Sequence, residues 1–187
     1  IFHAGWSALL HGSILKAVGV KEISTTEIEA FTLQCDTIAS TFANGHSPYP
    51  CSYTNMAWPA DATVAIAALA VYDEVIAPRY GEVRRNWIDV VKAALPENAG
   101  VSHAWDPVNN TALREMRGSS LALTCLLLPQ IDSTFAKDQF TVFAQNFFAE
   151  RMGVPLVTEY PKDFTVKGDV DSGPLIFGAG PVATIVG

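Results

Sequence analysis

HSPYPCSYTNMAWPADATVAIAAL, residues His46 to Leu69, joins a polar, aromatic, proline-broken loop to a run that is apolar on every side. From Ala62 to Val71 the only polar side chain is Thr63. A helix over these residues has no face to offer water and must be buried all round. The same join recurs downstream at a spacing of about 55 residues, the length of one stacked supersecondary unit. It reads SHAWDPVNNTALREMRGSSLALTCLLL from Ser102 and TEYPKDFTVKGDVDSGPLIFGAG from Thr158. The likeness is one of pattern, with little identity.

Working outward, the flanking segments carry the helical period. Ala4–Val18 reads as an apolar helix stopped at Gly19. Ser24-Thr25-Thr26-Glu27 is a capping box, in which Ser24 accepts from the Glu27 amide while Glu27 reaches back. It opens a helix with an apolar stripe through Phe31, Cys35 and Ile38, and Asn44-Gly45 offers a left-handed stop. A buried helix is expected over 61–76 and an amphipathic one over 81–95. A short apolar helix over 121–128 and an amphipathic one from Asp132 to about Met152 follow. The last apolar segment starts beyond Ser172.

Wet helix, long loop, dry helix and short turn therefore alternate. Helices in a hairpin series run antiparallel, which gathers the long loops at one end. The fold class this predicts is all-α, an α/α-hairpin toroid or part of one, with inner apolar and outer amphipathic helices. An open α-solenoid gives the same alternation. Residues 1–187 read as a single domain of this kind. The opening Ile1 without methionine and the apolar close fit a part of a larger toroid, completed by another segment or chain.

Composition narrows the function classes. The chain has 187 residues, 49% hydrophobic and 17% charged, with a net charge of -7. No Lys/Arg cluster exists to neutralise phosphates, so nucleic acid is not the expected partner. Cys35, Cys51 and Cys125 are odd in number and lack metal-site spacing. Such usage slightly favours a cytoplasm-like compartment, which is otherwise not indicated. No membrane span is expected, the longest apolar run being short and rich in Gly and Pro. Phosphate loops, dinucleotide fingerprints, HExxH and GxSxG are all missing. The reading thus contains no metal and no cofactor.

Most residues able to do chemistry fall in the three long loops. The first holds Tyr49, Cys51, Tyr53, Asn55, Trp58 and Asp61, with His46 at its tip. The second holds His103, Trp105 and Arg117; the third holds Glu159, Tyr160, Lys162, Asp163, Asp169 and Asp171. Polar groups and aromatics converging at the mouth of an apolar scaffold describe a ligand site. Asp61, Ser119 and Ser172 stand where helix N-caps belong, and a cap or a catalytic role explains each. Asp169 and Asp171 flank one valine, a spacing that suits a carboxylate pair of split pKa or an Asx-turn. His103 is the natural general base, since imidazole titrates near neutrality; stacking on Trp105 is its structural alternative. Cys51 is the thiol outside the helices. Arg117 directly precedes a helix N-terminus, a poor place for a cation without an acidic partner.

Tyr49-Pro50-Cys51-Ser52-Tyr53-Thr54-Asn55-Met56-Ala57-Trp58-Pro59-Ala60-Asp61 resembles the linalool dehydratase/isomerase group of α/α toroids. In that group a Pro-Cys, an Asn and an aromatic residue lead through a loop into an inner helix. The second cysteine that closes the family's segment is replaced here by Ala60-Asp61, so Cys51 alone carries over as an active-site position. The wider pattern is similar to six-hairpin glycosidases, epimerases and lyases.

Together these readings predict a cofactor-independent acid/base enzyme of the α/α-toroid type, a hydro-lyase, isomerase or glycoside-active protein. Its partner would be a small hydroxylated molecule or sugar. Asp61, His103, Asp169 and Asp171 would move protons. Tyr49, Cys51, Tyr53, Asn55, Trp58, Trp105, Arg117, Glu159 and Tyr160 would hold the ligand. The alternative is a non-catalytic helical module that binds a glycan or protein through its loop face.

Overall fold

The structure, a computed structural model, describes residues 1–19, 22–161 and 168–187. It divides into two compact units, one made of 1–94 with 105–111 and the other of 95–104 with 112–187.

The first unit is built on α3, Pro59–Val75. Pro59 supplies a preset φ at the first helical position, and every residue from Pro59 to Tyr72 is buried. The helices α1 (Phe2–Val18), α2 (Thr25–Asn44) and α4 (Gly81–Ala94) all pack on it. Val64, Ile66 and Leu69 are wholly enclosed, and each such side chain contributes about 1.5–3 kcal/mol by burial. Helix α1 turns Gly5, Ala8, Gly12 and Leu15 inward, leaving Leu10 and Ile14 exposed. The capping box at Ser24 and Glu27 forms as the sequence implies. The left-handed stop does not, because Gly45 is extended with φ of -79°.

The turn between α3 and α4 is fastened by two aspartates. Asp73 accepts from the backbone N–H groups of Arg79 and Tyr80, both at 2.8 Å, and pairs with Arg84 at 2.7 Å. Asp36 accepts from Arg79 at 2.8 Å and from the Tyr80 hydroxyl at 2.8 Å.

In the second unit α5 (Gly118–Leu127) continues into a 3-10 turn at Leu128–Gln130. Helix α6 (Ser133–Phe147) follows, capped by Asp132, which accepts from the Phe135 N–H at 2.6 Å. Both α6 and the short α7 (Pro181–Val186) pack on α5. α5 is less dry than its composition suggests, with Leu126 63% exposed.

The expectation of an all-α fold is corrected here, because two small antiparallel hairpins occupy stretches read as loop or helix. The first is β1 (Ala104–Asp106) with β2 (Thr111–Arg114). Its turn is organised by Asp106, whose carboxylate accepts from the Val108 and Asn109 N–H groups, and by Asn110 at φ 53°. The second is β3 (Phe148–Arg151) with β4 (Val154–Val157), Arg151 standing opposite Val154. Met152 and Gly153 both take positive φ, 55° and 77°. That is the two-residue turn whose twist matches paired strands. Gly153 also suits a stop for the helix expected to end near Met152, because the same residue type serves both purposes. With strands in place of simple loops, the concentric α/α toroid falls as well.

Three capping assignments also change. Trp58 caps α3, so Asp61 lies inside its first turn. Arg117 caps α5, placing Ser119 and Ser120 within that helix. Ser172 lies in a turn, and the last helix begins only at Pro181. Among the described residues no helix is long and apolar enough to cross a membrane.

Candidate functional site

The expected site residues fall into separate groups. Tyr49, Cys51, Tyr53, Asn55, Trp58, Asp61 and Trp105 belong to the first unit; His103, Arg117, Glu159, Tyr160, Asp169 and Asp171 belong to the second. Lys162 and Asp163 lie outside the described residues.

In the first unit several of these side chains are framework. Tyr49 is 1% exposed and meets Trp105 edge-on at 5.1 Å, while the Ala57 and Trp105 backbones exchange hydrogen bonds. Burial pushes the Tyr49 hydroxyl pKa up. Asn55 takes φ 59° in the loop turn. Tyr53 is exposed and meets Trp58 edge-on at 5.1 Å. Asp61 is buried, which raises its carboxyl pKa against hydrogen bonds from Ser52 and Trp6. Cys51 is exposed, whereas burial raises Cys35 and Cys125 to about 12.

The second unit assembles an ionic cluster around the start of α5. The chain enters that helix through Arg117, which is 3% exposed. A buried guanidinium beside the positive end of a helix needs anions near it. Asp169 provides a two-pronged partner, at 3.0 Å and 2.5 Å. Glu159 stands 3.9 Å away, and the Tyr160 ring lies under the guanidinium at 5.0 Å. Arg114 also reaches Asp169, at 3.3 Å. The Arg117 hydrogen bond, outweighing partial burial, holds the Asp169 carboxyl well below the usual carboxylate range. The Asp169 carboxylate further accepts from the backbone N–H groups of Asp171 and Ser172, both at 3.1 Å. The Asx-turn reading of Gly168–Gly173 is therefore realised, with Asp169 occupied and Asp171 left free to point elsewhere.

Asp171 points to His103, its Oδ2 lying 3.4 Å from Nε2. The other ring nitrogen, Nδ1, is 2.5 Å from Ser120 Oγ. His103 is 4% exposed and its N–H donates to the Glu115 carbonyl at 3.1 Å, which fixes the backbone. Burial, then the Arg117 charge, lowers its pKa; Asp171 pulls the other way without prevailing. Both ring nitrogens are engaged, and the surroundings on balance disfavour the charged imidazolium.

Glu159 is shifted in the opposite sense. Its side chain is 1% exposed, Ser119 Oγ donates to Oε1 at 2.8 Å, and Oε2 has no partner among the described residues. Burial raises its pKa against Ser119 and Arg117. The Glu159 carbonyl accepts from the Gly118 N–H at 2.9 Å, so the carboxylate and the helix start are tied together. An open apolar groove of about 660 Å3 lies in the same unit, lined by Leu156, Ile176, Phe177, Gly180 and Ile185 among others. Gly180 forms its wall next to the carboxylate, since a Cβ there would stand 3.0 Å from Glu159 Oε2.

The sequence singles out His103, Arg117, Glu159, Asp169 and Asp171, and offers Ser119 or Ser120 as a helix cap, with a catalytic role for Ser119 as the alternative. The signal for the serines was a hydroxyl pair in the first turn after a basic cap, which shows a role only when the distant His103 and Glu159 are placed beside it. No known protein family and no curated protein matches this chain.

Proposed function

We propose that the protein is a cofactor-independent acid/base catalyst acting on a small hydroxylated ligand, with the second unit as its catalytic part. The observation that carries this reading is the buried His103 imidazole, engaged at both nitrogens by Ser120 and Asp171. Environments that push titratable groups in opposite directions mark acid and base roles. His103, kept neutral, is the base; Glu159, its pKa raised, is the acid. In a dehydration, His103 takes a C–H proton while Glu159 protonates the departing hydroxyl, which leaves as water. Asp169 is committed to Arg117 and serves as structure. Asp61 is left out, since it belongs to the first unit.

The apolar groove lined by Leu156, Ile176 and Phe177, whose Gly180 stands beside the buried Glu159, suits a ligand with an apolar body. Nucleic acid is no partner in this reading, given a net charge of -7. A further segment or chain would complete the molecule, a view that the exposed Leu10, Ile14 and Ile185 support.

The test is to incubate the chain with a panel of short allylic and tertiary alcohols and of p-nitrophenyl glycosides, following alkenes by gas chromatography and p-nitrophenol by absorbance. His103→Gln should lower alcohol turnover by about 100-fold or more while the melting temperature stays within a few degrees. Turnover of no alcohol by the folded chain, or turnover unchanged in His103→Gln, would sink the proposal.

A further inference from the structure

We propose that Ser120 is a nucleophile, and that the Ser120–His103–Asp171 relay transfers acyl groups from small carboxylic esters.

Hydroxyls inside the helices of this protein usually turn back on their own backbone. Ser13 donates to the Leu9 carbonyl at 2.7 Å, Thr63 to Pro59 at 3.1 Å and Thr141 to Lys137 at 2.9 Å. That four-residue back-bond is the default for such a side chain. Ser120, in the first turn of α5, has no helical carbonyl four residues back, and its Oγ lies 2.5 Å from His103 Nδ1. The neighbouring Ser119 is already spent on Glu159. With the imidazole proton on Nε2, the ring donates toward Asp171 Oδ2 at 3.4 Å, and the Nδ1 lone pair is left to accept from Ser120. Nucleophile, base and orienting carboxylate thus stand in the order that activated serines require. Asp171 is the most open of the three, its side chain 43% exposed.

The surroundings favour the charge that an attack would develop. Ser120 is the third residue of α5, where the positive end of the helix dipole lies. Arg117, paired with Asp169, stands at the start of the same helix.

The chemistry closes on ester and water alone. Oγ bonds to the carbonyl carbon as its proton passes to His103 Nδ1, and the carbonyl π pair moves onto oxygen. Collapse of this adduct breaks the bond to the alkoxy oxygen, which takes the proton from Nδ1 and leaves as an alcohol. Water then repeats the sequence on the acyl-serine, releasing the acid and restoring Ser120. The inference rests on the reading of His103 as the proton carrier, and adds to it a covalent partner and a second substrate class.

The probes are a biotin-tagged fluorophosphonate and p-nitrophenyl acetate, applied to the 187-residue chain. One adduct is expected, mapped to Ser120 by tandem mass spectrometry. Ser120→Ala should abolish it together with the p-nitrophenol burst. Asp171→Asn, at a half-exposed position, should slow labelling by about 10-fold or more while the melting temperature stays unchanged. No adduct on the folded wild type, an adduct on another residue, or labelling unchanged in Asp171→Asn would overturn the proposal. Alcohol turnover measured on the same samples separates the two readings. Turnover without an adduct sinks the nucleophile alone, and an adduct without turnover sinks the dehydration alone.

Discussion

Helices α3 and α5 begin in opposite electrostatic company. α3 opens with Pro59 and carries one acid, Asp61, in its first turn, where the dipole welcomes negative charge. Beyond it every residue to Tyr72 is buried, and the acids Asp73 and Glu74 come only in the last turn. α5 opens on Arg117, a buried cation at the end that repels cations, and is balanced by Asp169 and Glu159. The first helix is held by area, a term that changes little with pH or with any single neighbour. The second is held at its start by a charge arrangement that works only while all its members are present. A site that must move protons is better made from the second kind of material, because its groups answer to one another.

The sharpest way to break this contrast is steric. A Cβ at Gly118 would overlap the Thr158 carbonyl oxygen, and the backbone there cannot give way without losing the Glu159 contacts. Gly118→Ala should cost at least about 3 kcal/mol in urea unfolding of the second unit. Leu69→Ala, in the middle of α3, should cost about 3 kcal/mol equally at pH 5 and pH 8. Arg117→Met should cost about 2 kcal/mol, less than a fully buried pair would, because the Asp169 side chain is 33% exposed and partly screened. Its cost should vary with pH. A pH-independent loss there would remove the distinction between the helices.

The pH profile follows from signs. His103 has its pKa lowered from 6.5, so below that value the unfolded chain binds the proton better, and stability falls as pH drops through it. His103→Gln should flatten that slope. Asp169 is lowered from 3.8, so its contribution stands above that value and is lost as pH falls further. Glu159 is raised from 4.5. It favours the fold below 4.5, and that advantage is lost as pH rises, which Glu159→Gln should remove. Unfolding free energies measured from pH 3 to 8 check the His103 and Glu159 slopes, and extending them to lower pH checks Asp169. The smallest effect is chemical. Iodoacetamide should alkylate the exposed Cys51 of the native protein at least about tenfold faster than the buried Cys35, and equal rates would mean that the first unit opens readily.

What could be read from the chain was local. The capping box at Ser24 and Glu27, the Asp132 cap and the apolar run of α3 each depend on residues within a turn or on a period of 3.6, and all are present. The site residues His103, Arg117, Glu159, Asp169 and Asp171 could be picked out by type and by their place between helices. The strands were missed for a reason that is also local. Phe148–Arg151 and Val154–Val157 are too short to show a period of two, and Gly153 ends a helix as readily as it turns a hairpin. Taking those stretches for loop or helix left the alternation of wet and dry helices intact, and it is that alternation that points to the toroid.

The tertiary structure alone decided which groups meet. His103 finds Ser120 17 residues on and Asp171 68 residues on, and Arg117 takes Asp169 from 52 residues away. No spacing rule reaches that far, because such pairings depend on how the intervening hairpin and helices turn the chain. Their energies also depend on burial, which lowers His103 and raises Glu159 only once the walls around them are built.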